Sequence, residues 1–155
     1  MREALVTEFS VHQASEEDLN AWSALRHQLW PHLALEDHRA EIVAALLEPD
    51  RLCSFLCSDT EGRALGLAEA SIRSDYVNGC ETSPVAFLEG IVVDPAARRQ
   101  GVAALLVAAV SAWARSKGLS ELGSDAELNN TVSHAMHGAL GFEETQRVVY
   151  FRKTL

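Results

Sequence analysis

The chain has 155 residues, 48% of them hydrophobic, and a formal net charge of −9 at pH 7. This length predicts a single domain over 1–155 that buries a sizeable core. The acidic balance argues against nucleic acid as a partner. The sequence has no apolar run suited to a signal peptide or a membrane span, which predicts a cytoplasmic protein with no membrane partner.

The three cysteines are Cys53, Cys57 and Cys80. Their odd number and their spacing predict neither a disulfide framework nor a metal site. Cys53 and Cys57 lie in an apolar, strand-like run, so we expect both to be core residues.

The first third of the chain has the pattern of one strand and two helices. A strand ends over 9–13, and Ser15-Glu16-Glu17-Asp18 is a helix start in which a hydroxyl and a carboxylate cap each other's amides. Apolar residues at helical spacing continue until Pro31 ends the helix. A second helix is predicted over 37–47.

The rest of the chain predicts a hairpin followed by alternating helices and strands. Runs typical of strands cover 52–58 and 64–73, joined by a turn sequence, and a polar loop over 74–84 precedes a strand over 85–93. The remaining predicted elements are a helix over about 100–117, a short strand near 121–124, a helix near 131–140 and a final strand near 147–153. The order β-α-α-β-β-β-α-β-α-β predicts an α/β fold.

The stretch from Phe87 to Ala103 has the features of an anion-binding turn. A hydrophobic strand runs into Arg98-Arg99-Gln100-Gly101, and a helix follows. Gly101 permits a close backbone approach, the amides of the first helical turn lack internal partners, and the helix dipole adds positive potential. A phosphate group fits such a site. The alternative is an ordinary strand-to-helix turn with surface arginines.

The helix after this turn shows an apolar stripe, and the turn lacks the glycine patterns of P-loops and of dinucleotide folds. The predicted stripe consists of Val102, Leu105, Leu106, Ala109, Val110 and Trp113.

The turn resembles the acetyl-CoA signature of the GNAT superfamily of N-acetyltransferases, Arg/Gln-x-x-Gly-x-Gly/Ala, as Arg98-x-x-Gly101-x-Ala103. Asn129-Asn130 and the run from His134 to Glu144 resemble the next segment of that family. The resemblance implies the GNAT fold, a mixed central sheet flanked by helices, with acetyl-CoA as co-substrate and no metal. The implied cofactor-binding residues are Ile91, Val92, Val93, Arg98, Arg99, Gln100, Gly101, Val102, Ala103, Ala104 and Asn130. An asparagine before a helix is often only a cap.

Several segments resemble a narrower group, the aminoglycoside 6′-N-acetyltransferases of type I. They are 25–31, 70–80, 87–91, 124–125 and 140–145, which span both halves of the chain. The resemblance implies acetyl transfer from acetyl-CoA to the 6′-amine of aminoglycoside antibiotics, which confers resistance, by direct attack in a ternary complex. The implied substrate-binding residues are Trp30, Tyr76, Glu89, Asp125 and Gln146. Close relatives have an acidic residue where this chain has Gln146, and core packing is the alternative role for Trp30.

Two carboxylates are candidates for handling the amine, which must lose a proton before it attacks. Asp125 follows a short strand, at the edge where ligands of α/β sheets bind, and we expect it to bind the amine. Glu89 lies in the predicted central strand, where a charge needs a partner, and is expected to be a second acidic contact or a water-mediated base. The alternatives are a helix cap for Asp125 and a solvent-facing position for Glu89.

Two further groups complete the expected chemistry. A backbone amide of Ile91, Val92 or Val93 is expected to polarise the thioester carbonyl. Many GNAT enzymes have a general-acid tyrosine where this chain has His137, which can donate a proton or simply pack.

Two other functions stay open at this point, together with the oligomeric state. The chain could be a GNAT enzyme for a polyamine, an amino acid or a protein N-terminus, or a non-catalytic acyl-CoA-binding module. GNAT proteins commonly dimerise, and the apolar segment Val148-Val149-Tyr150-Phe151 suits strand pairing or exchange, so we expect a homodimer.

Overall fold

A five-stranded sheet organises the part of the chain that the structure, a computed structural model, describes, which is residues 8–155. Residues 1–7 lie outside the described part of the chain. They belong to the N-terminal stretch that the sequence predicts not to be a signal peptide. The strands are β1 (Ser10–Gln13), β2 (Leu52–Ser58), β3 (Ala64–Arg73), β4 (Val85–Val93) and β5 (Leu122–Ser124). The helices are α1 (Leu19–Leu29), α2 (Leu35–Leu46), α3 (Val102–Ser116) and α4 (Thr131–Ala139), with 3-10 turns at Glu16–Asp18 and Pro95–Ala97.

The strands lie side by side in chain order. β1 to β4 pair antiparallel, and β5 runs parallel to β4. The crossover between β4 and β5 consists of the predicted anion-binding turn and α3, as a parallel connection requires. The α/β class and the mixed sheet are therefore confirmed, as are the predicted bounds of β2, β3 and β4.

Helices cover both faces of the sheet. On one face, α3 packs on the inner strands, and Leu106 and Val110 are fully buried among Cys57, Ala68 and Leu88. On the other face, α1 and α2 bury Trp22, Leu25 and Ile42 against Leu56 and Leu67. Each such side chain stabilises the fold by about 1.5–3 kcal/mol. Cys53 and Cys57 are buried, as predicted.

The start of the first helix also follows the predicted pattern. The Ser15 backbone N–H donates to the Asp18 carboxylate over 2.9 Å, and the amide of Asp18 donates to the Ser15 carbonyl. This reciprocal arrangement holds the 3-10 turn that leads into α1.

The stripe predicted for α3 is partly wrong. Leu105 is 42% exposed, whereas Val107 and Ala114, which are not in the predicted stripe, are buried. The buried set of α3 is Val102, Leu106, Val107, Val110 and Ala114. The buried face of α3 is rotated by about one residue from the predicted face, so that Val107 is buried in place of Leu105. The apolar stripe of this helix is wide, and apolar spacing alone does not show which of its edges the sheet covers.

The final strand predicted near 147–153 is absent from the described residues. From Phe142 onward the backbone makes no strand pairing there, and Val149, Tyr150 and Phe151 are 73%, 81% and 94% exposed. A strand needs a neighbour for its backbone groups, and this segment does not fold back onto the sheet of its own chain. Among residues 8–155, no helix is both long enough and apolar enough to cross a membrane.

Candidate active site

The turn between β4 and α3 is shaped by two residues in the left-handed region. Arg99 has φ 61° and Gly101 has φ 86°. Such a conformation costs a side-chain-bearing residue roughly 1–2 kcal/mol, and successive amides around left-handed residues form concave anion sites. Gly101 is the N-cap of α3, so the amides of Val102 to Ala104 precede the first intrahelical bond, which runs from Leu105 N to Gly101 O. The predicted anion site therefore has the required backbone geometry.

Side chains of the turn fold back onto the chain that precedes it. Arg98 Nε donates to the Val93 carbonyl over 3.2 Å, and Gln100 Nε2 donates to the Ala96 carbonyl over 3.2 Å. The Asp94 carboxylate accepts from the Ala96 amide over 3.0 Å and caps the 3-10 turn. Arg98 and Arg99 are exposed, so their charges face solvent where a phosphate would arrive.

Strands β4 and β5 separate just before the acidic candidates. β4 pairs with β3 as far as Val93, but its pairing with β5 stops at Leu88 and Ser124. From Glu89 to Val93, one edge of β4 therefore has no neighbouring strand among residues 8–155. The backbone groups that β4 turns to this edge have no strand partner in that part of the chain.

Glu89 is the extra residue of a β-bulge. Glu69 of β3 lies opposite Gly90, and Ala70 lies opposite Leu88, so Glu89 has no partner in the register. A bulge redirects the side chain it carries and bends the strand. The bulge occurs where β4 leaves β5, which places Glu89 at the mouth of the gap.

The carboxylate of Glu89 already has a cationic partner within the chain. Arg73 Nε and Nη2 donate to its two oxygens over 3.0 and 2.8 Å, and Ser71 Oγ donates over 2.6 Å. The Arg73 guanidinium also lies 3.6 Å from the centroid of the Phe87 ring, and the Glu89 carboxylate raises the pKa of Arg73. The partner that a charge in this strand needs is therefore supplied by β3.

The indole ring of Trp30 lies directly on β4. A Cβ atom added at Gly90 would be 2.8 Å from Cη2 and Cζ2 of Trp30, and 2.6 Å from Cδ2 of Leu29. Only a glycine leaves room for that contact, which sets the ring beside Glu89. Trp30 is half-buried, so part of it packs as in a core and part of it faces outward.

A partly buried ionic network lies next to the indole. The Arg26 guanidinium is 5.1 Å from the Trp30 ring centroid and pairs with Glu41 and with Glu69. Trp22 Nε1 donates to Glu69 over 2.7 Å. Burial raises the pKa of the Glu69 carboxyl, while Arg26 and the indole N–H oppose that rise. The network joins α1, α2 and β3 next to Trp30.

Asp125 follows the last residue of β5 and is exposed. Ser124 pairs with Leu88, so Asp125 and Glu89 each follow the last paired residue of two adjacent parallel strands. The alternative role of Asp125 as a helix cap is wrong, because α4 begins at Thr131 and Asn130 is its N-cap. Asn130 Oδ1 accepts from the Ser133 amide over 3.1 Å, which confirms the capping role that its position suggests.

His137 ties α4 to the end of β5. Its Nε2 is 2.7 Å from Ser124 Oγ, and its Nδ1 is 2.7 Å from the Ser133 carbonyl, with the ring edge-to-face on Phe142. A carbonyl only accepts, so Nδ1 carries the hydrogen and Nε2 accepts from Ser124. Both nitrogens are thus engaged within the protein, which favours the packing role over proton donation.

The loop over 74–84 carries Tyr76, which is 71% exposed. The Glu121 carboxylate holds the far end of the loop by accepting from the Thr82 hydroxyl and from the amides of Thr82 and Glu81, and these bonds lower its pKa. Val77 anchors the near end by packing into a small buried cluster with Val85 and Phe87. The loop is therefore anchored at both ends, and the Tyr76 side chain projects from it into solvent.

Gln146 is exposed at the base of the C-terminal segment. Its neighbour Thr145 lies against the loop, since a Cβ atom at Gly79 would be 2.2 Å from Thr145 Oγ1. The structure does not bring Gln146 into contact with Glu89 or Asp125.

Comparison with known proteins identifies this arrangement. The family described as "Acetyltransferase (GNAT) family" matches residues 11–142. The aminoglycoside N(6′)-acetyltransferase type 1 of Serratia marcescens is 52% identical over 139 residues, which cover 90% of this chain and 94% of that protein. The chain belongs to the type 1 aminoglycoside N(6′)-acetyltransferases of the GNAT family. The protein of that type from Salmonella typhimurium is 48% identical over 92% of this chain and 97% of its own length.

Solved structures of GNAT acetyltransferases share the fold closely. AAC(6′)-Ih from Acinetobacter baumannii superimposes with a TM-score of 0.90 at 45% identity, over 96% of this chain and 99% of that one. AAC(6′)-Iy, solved with the bisubstrate analogue CoA-S-monomethyl-acetylneamine, gives a TM-score of 0.90 at 46% identity, over 96% of this chain and 100% of that one. The resemblance to aminoglycoside 6′-N-acetyltransferases drawn from the sequence is confirmed.

Sequence reasoning missed the residues that support the acidic and aromatic groups of this GNAT site. Arg73 and Ser71 face Glu89 only because a bulge sets the register between β3 and β4. Gly90 matters because Trp30 lies on it, a contact between residues 60 positions apart. The only local signal was a glycine inside a strand, which often marks a bulge or a close approach.

Proposed function

We propose that this protein transfers the acetyl group of acetyl-CoA to the 6′-amine of aminoglycosides, with both substrates bound at once across the gap between β4 and β5. The observation that carries this proposal is the position of Glu89 and Asp125. They follow the last paired residues of two parallel strands, and the free edge of β4 leads from Glu89 to the anion-binding turn. Ligands of α/β sheets bind where adjacent strands part at their carboxyl ends.

On the donor side, the turn amides around Arg99 and Gly101 and the first turn of α3 suit the pyrophosphate of CoA. The pantetheine arm would then lie along the unpaired edge of β4. An amide of Ile91, Val92 or Val93 polarises the thioester carbonyl, which is a task for a fixed backbone donor. Asn130 uses its carbonyl oxygen as a cap, which leaves its amide nitrogen for the cofactor.

On the acceptor side, Asp125 binds the 6′-ammonium and accepts its proton, directly or through water. The amine nitrogen then attacks the thioester carbon, the carbon–sulfur bond breaks, and the leaving thiolate takes up the proton that the nitrogen loses as the amide forms, directly or through water. Glu89 is a second acidic contact rather than the base, because Arg73 already neutralises it. His137 holds Ser124, and so the end of β5, in place; Trp30, Tyr76 and Gln146 contact the sugar rings.

The C-terminal segment supports a homodimer. Tyr150 and Phe151 are almost wholly exposed on an extended segment, and burying one such side chain contributes about 1.5–3 kcal/mol. β5, at one edge of the sheet of the described residues, has only three residues and can accept another strand. If each copy lends this segment to β5 of the other, the same contact forms twice, as the symmetry of a twofold dimer requires.

Light scattering on the full chain and on a variant with Tyr150→Lys and Phe151→Lys tests the dimer. We expect a dimer for the full chain and a monomer for the variant. A monomeric full chain, or a variant that stays dimeric, contradicts the exchange.

Three wider statements belong to the same proposal. Residues 1–155 form one catalytic domain, the enzyme works in the cytoplasm where its donor acetyl-CoA is made, and its activity confers aminoglycoside resistance. The span of the family match, 11–142, supports the first. Inhibitory concentrations of drugs with and without a 6′-amine, measured on cells that express the protein, test the last.

Steady-state kinetics of CoA release tests the reaction itself. We expect turnover with kanamycin or tobramycin and none with a matched aminoglycoside that has a hydroxyl at the 6′ position. Turnover with polyamines, amino acids or peptide N-termini in place of aminoglycosides would overturn the substrate class. Binding of CoA without acetylation of any amine would overturn the enzyme.

A further inference from the structure

The loop between α1 and α2 is held by two histidines, one from each helix. His38 of α2 is fully buried, and its Nε2 is 3.0 Å from the carbonyl oxygen of Trp30. His27 of α1 has Nδ1 3.1 Å from the carbonyl oxygen of Leu33. The two rings meet edge to face, with centroids 5.8 Å apart. Each helix therefore fixes a loop carbonyl through an imidazole.

The hydrogen-bond partner fixes the tautomer of His38. A backbone carbonyl only accepts, so Nε2 of His38 carries the hydrogen and Nδ1 carries a lone pair. In the described part of the chain, that Nδ1 is a buried nitrogen without a partner, and the Nε of Arg26 is another. Both residues touch Trp30, one through its carbonyl and the other across its ring. A buried polar atom left unpaired is a cost that ordinary packing avoids, so an apolar side chain would suit this position better if it only filled space.

Trp30 depends on support from outside α1. It is the C-cap of the helix, and its backbone has left the helical region at φ −127° and ψ 72°. Its N–H still donates to Arg26 O over 2.8 Å, but its carbonyl has no place in the helix and instead meets His38 and, over 3.3 Å, the Leu33 amide. Holding that carbonyl fixes the peptide plane that follows Trp30, and with it the position of the Cα atom from which the indole leaves the chain.

We propose that His38 is a positioning residue for acceptor binding: through the Trp30 carbonyl it holds the backbone of Trp30 so that the indole stays against Gly90. This inference rests on the proposed function, in which Trp30 contacts the aminoglycoside. His38 is fully buried behind the loop, so it acts only through Trp30. Because the hold is on the backbone of Trp30, the ring can lie against Gly90 of β4 while remaining only half-buried.

Three substitutions separate this role from simple filling of the core. His38→Gln keeps an N–H donor near the position of Nε2, His38→Asn is a matched amide that is too short to reach, and His38→Leu has similar bulk and no donor. We expect the KM for the aminoglycoside to rise about tenfold in the Asn and Leu variants, with kcat and the KM for acetyl-CoA within about twofold. The Gln variant should keep a KM near that of the wild type.

A double-substitution cycle shows whether the effect passes through Trp30. In a Trp30→Ala background, His38→Asn should add nothing further to the KM for the aminoglycoside. An undiminished effect in that background overturns the proposal, as do equal KM values for the Gln and Asn variants or a parallel rise in the KM for acetyl-CoA. Gln and Asn differ by one methylene group only. A general loss of stability would therefore affect both variants and would not give the expected difference between their KM values for the aminoglycoside.

A measurement without substrate keeps this inference distinct from the proposed function. In a Trp22→Phe, Trp113→Phe background, Trp30 is the only tryptophan, and acrylamide quenching reports how well its indole is held. His38→Asn should increase quenching, and His38→Gln should not. If quenching changes as expected while no aminoglycoside is turned over, the proposed function has failed and the hold of His38 on Trp30 stands. Equal quenching in both variants overturns the hold itself.

Discussion

The turn that precedes α3 and the acceptor side around Glu89 differ in what supplies their contacts. In the turn, one short segment has Arg99 and Gly101 in left-handed conformations, and the amides that follow it precede the first intrahelical bond of α3. Around Glu89, side chains from α1, β3, β4 and the end of β5 must meet. A site made by backbone is specified locally, while a site made by side chains depends on packing across the whole sheet.

The ionic partners differ in the same way. Arg98 and Arg99 face solvent, and no carboxylate of residues 8–155 pairs with them. Glu89, in contrast, is engaged by Arg73 and Ser71, so the acceptor side is partly neutralised before any substrate arrives. The proposed donor side thus has two exposed guanidinium groups, and the proposed acceptor side has the exposed carboxylate of Asp125.

The largest expected effect comes from Asp125→Asn, which removes the proposed amine-binding carboxylate while keeping its shape. We expect kcat to fall by about 100-fold or more, with the Kd for acetyl-CoA unchanged, because the donor turn is built by other residues. Steady-state kinetics and calorimetric titration with CoA give the two values. Glu127→Gln removes an exposed charge two residues further along and should keep full activity. An equal loss of turnover and CoA binding in Asp125→Asn would show that Asp125 is structural.

On the acceptor side, Gly90→Ala should displace the indole of Trp30. The new Cβ would lie 2.8 Å from the ring, so the ring has to move away from Glu89. We expect the KM for the aminoglycoside to rise about tenfold and the Kd for CoA to stay the same. A KM equal to that of the wild type would mean that Trp30 does not contribute to acceptor binding.

On the donor side, Gly101→Ala is the matched substitution. The added methyl meets nothing within 4 Å, so only the positive φ of 86° opposes it, at roughly 1–2 kcal/mol. We expect the Kd for CoA to rise by up to about tenfold, while the KM for the aminoglycoside is unaffected. If Gly90→Ala and Gly101→Ala both weaken both substrates, the two sides of the cleft are not separate.

The smallest effect is expected from Glu89→Gln. Arg73 already pairs with this carboxylate, so its removal should lower kcat by only a few-fold, well short of a missing general base. The comparison with Asp125→Asn under identical assay conditions decides the ranking of the two carboxylates. A larger loss at Glu89 would reverse the roles proposed for them.

The same contrast explains what could be predicted from the sequence. The bounds of β2, β3 and β4 and the strand-to-helix turn before α3 followed from local patterns, since alternating or apolar runs, turn residues and a glycine act within a few positions. Capping by Asn130 was also visible locally. The pairing of Arg73 with Glu89 was not, because it depends on a bulge that changes the register between two strands.

Two errors have the same origin. The stripe of α3 was placed one position away, because the sequence shows which residues are apolar but not which of them the sheet covers. The final strand was predicted near 147–153, where the composition is right for a strand, yet pairing requires a partner that residues 8–155 do not supply. Trp30 was identified as a candidate, but its support by His38 and Gly90 became visible only in three dimensions.

The position of the acetyl group on the product shows whether the protein acetylates the 6′-amine of aminoglycosides. NMR of kanamycin after reaction with acetyl-CoA and the protein should show one acetyl group, on the 6′-nitrogen. An acetyl group on any other amine, or unmodified drug after prolonged incubation with acetyl-CoA, would show that the protein is not a 6′-N-acetyltransferase of aminoglycosides.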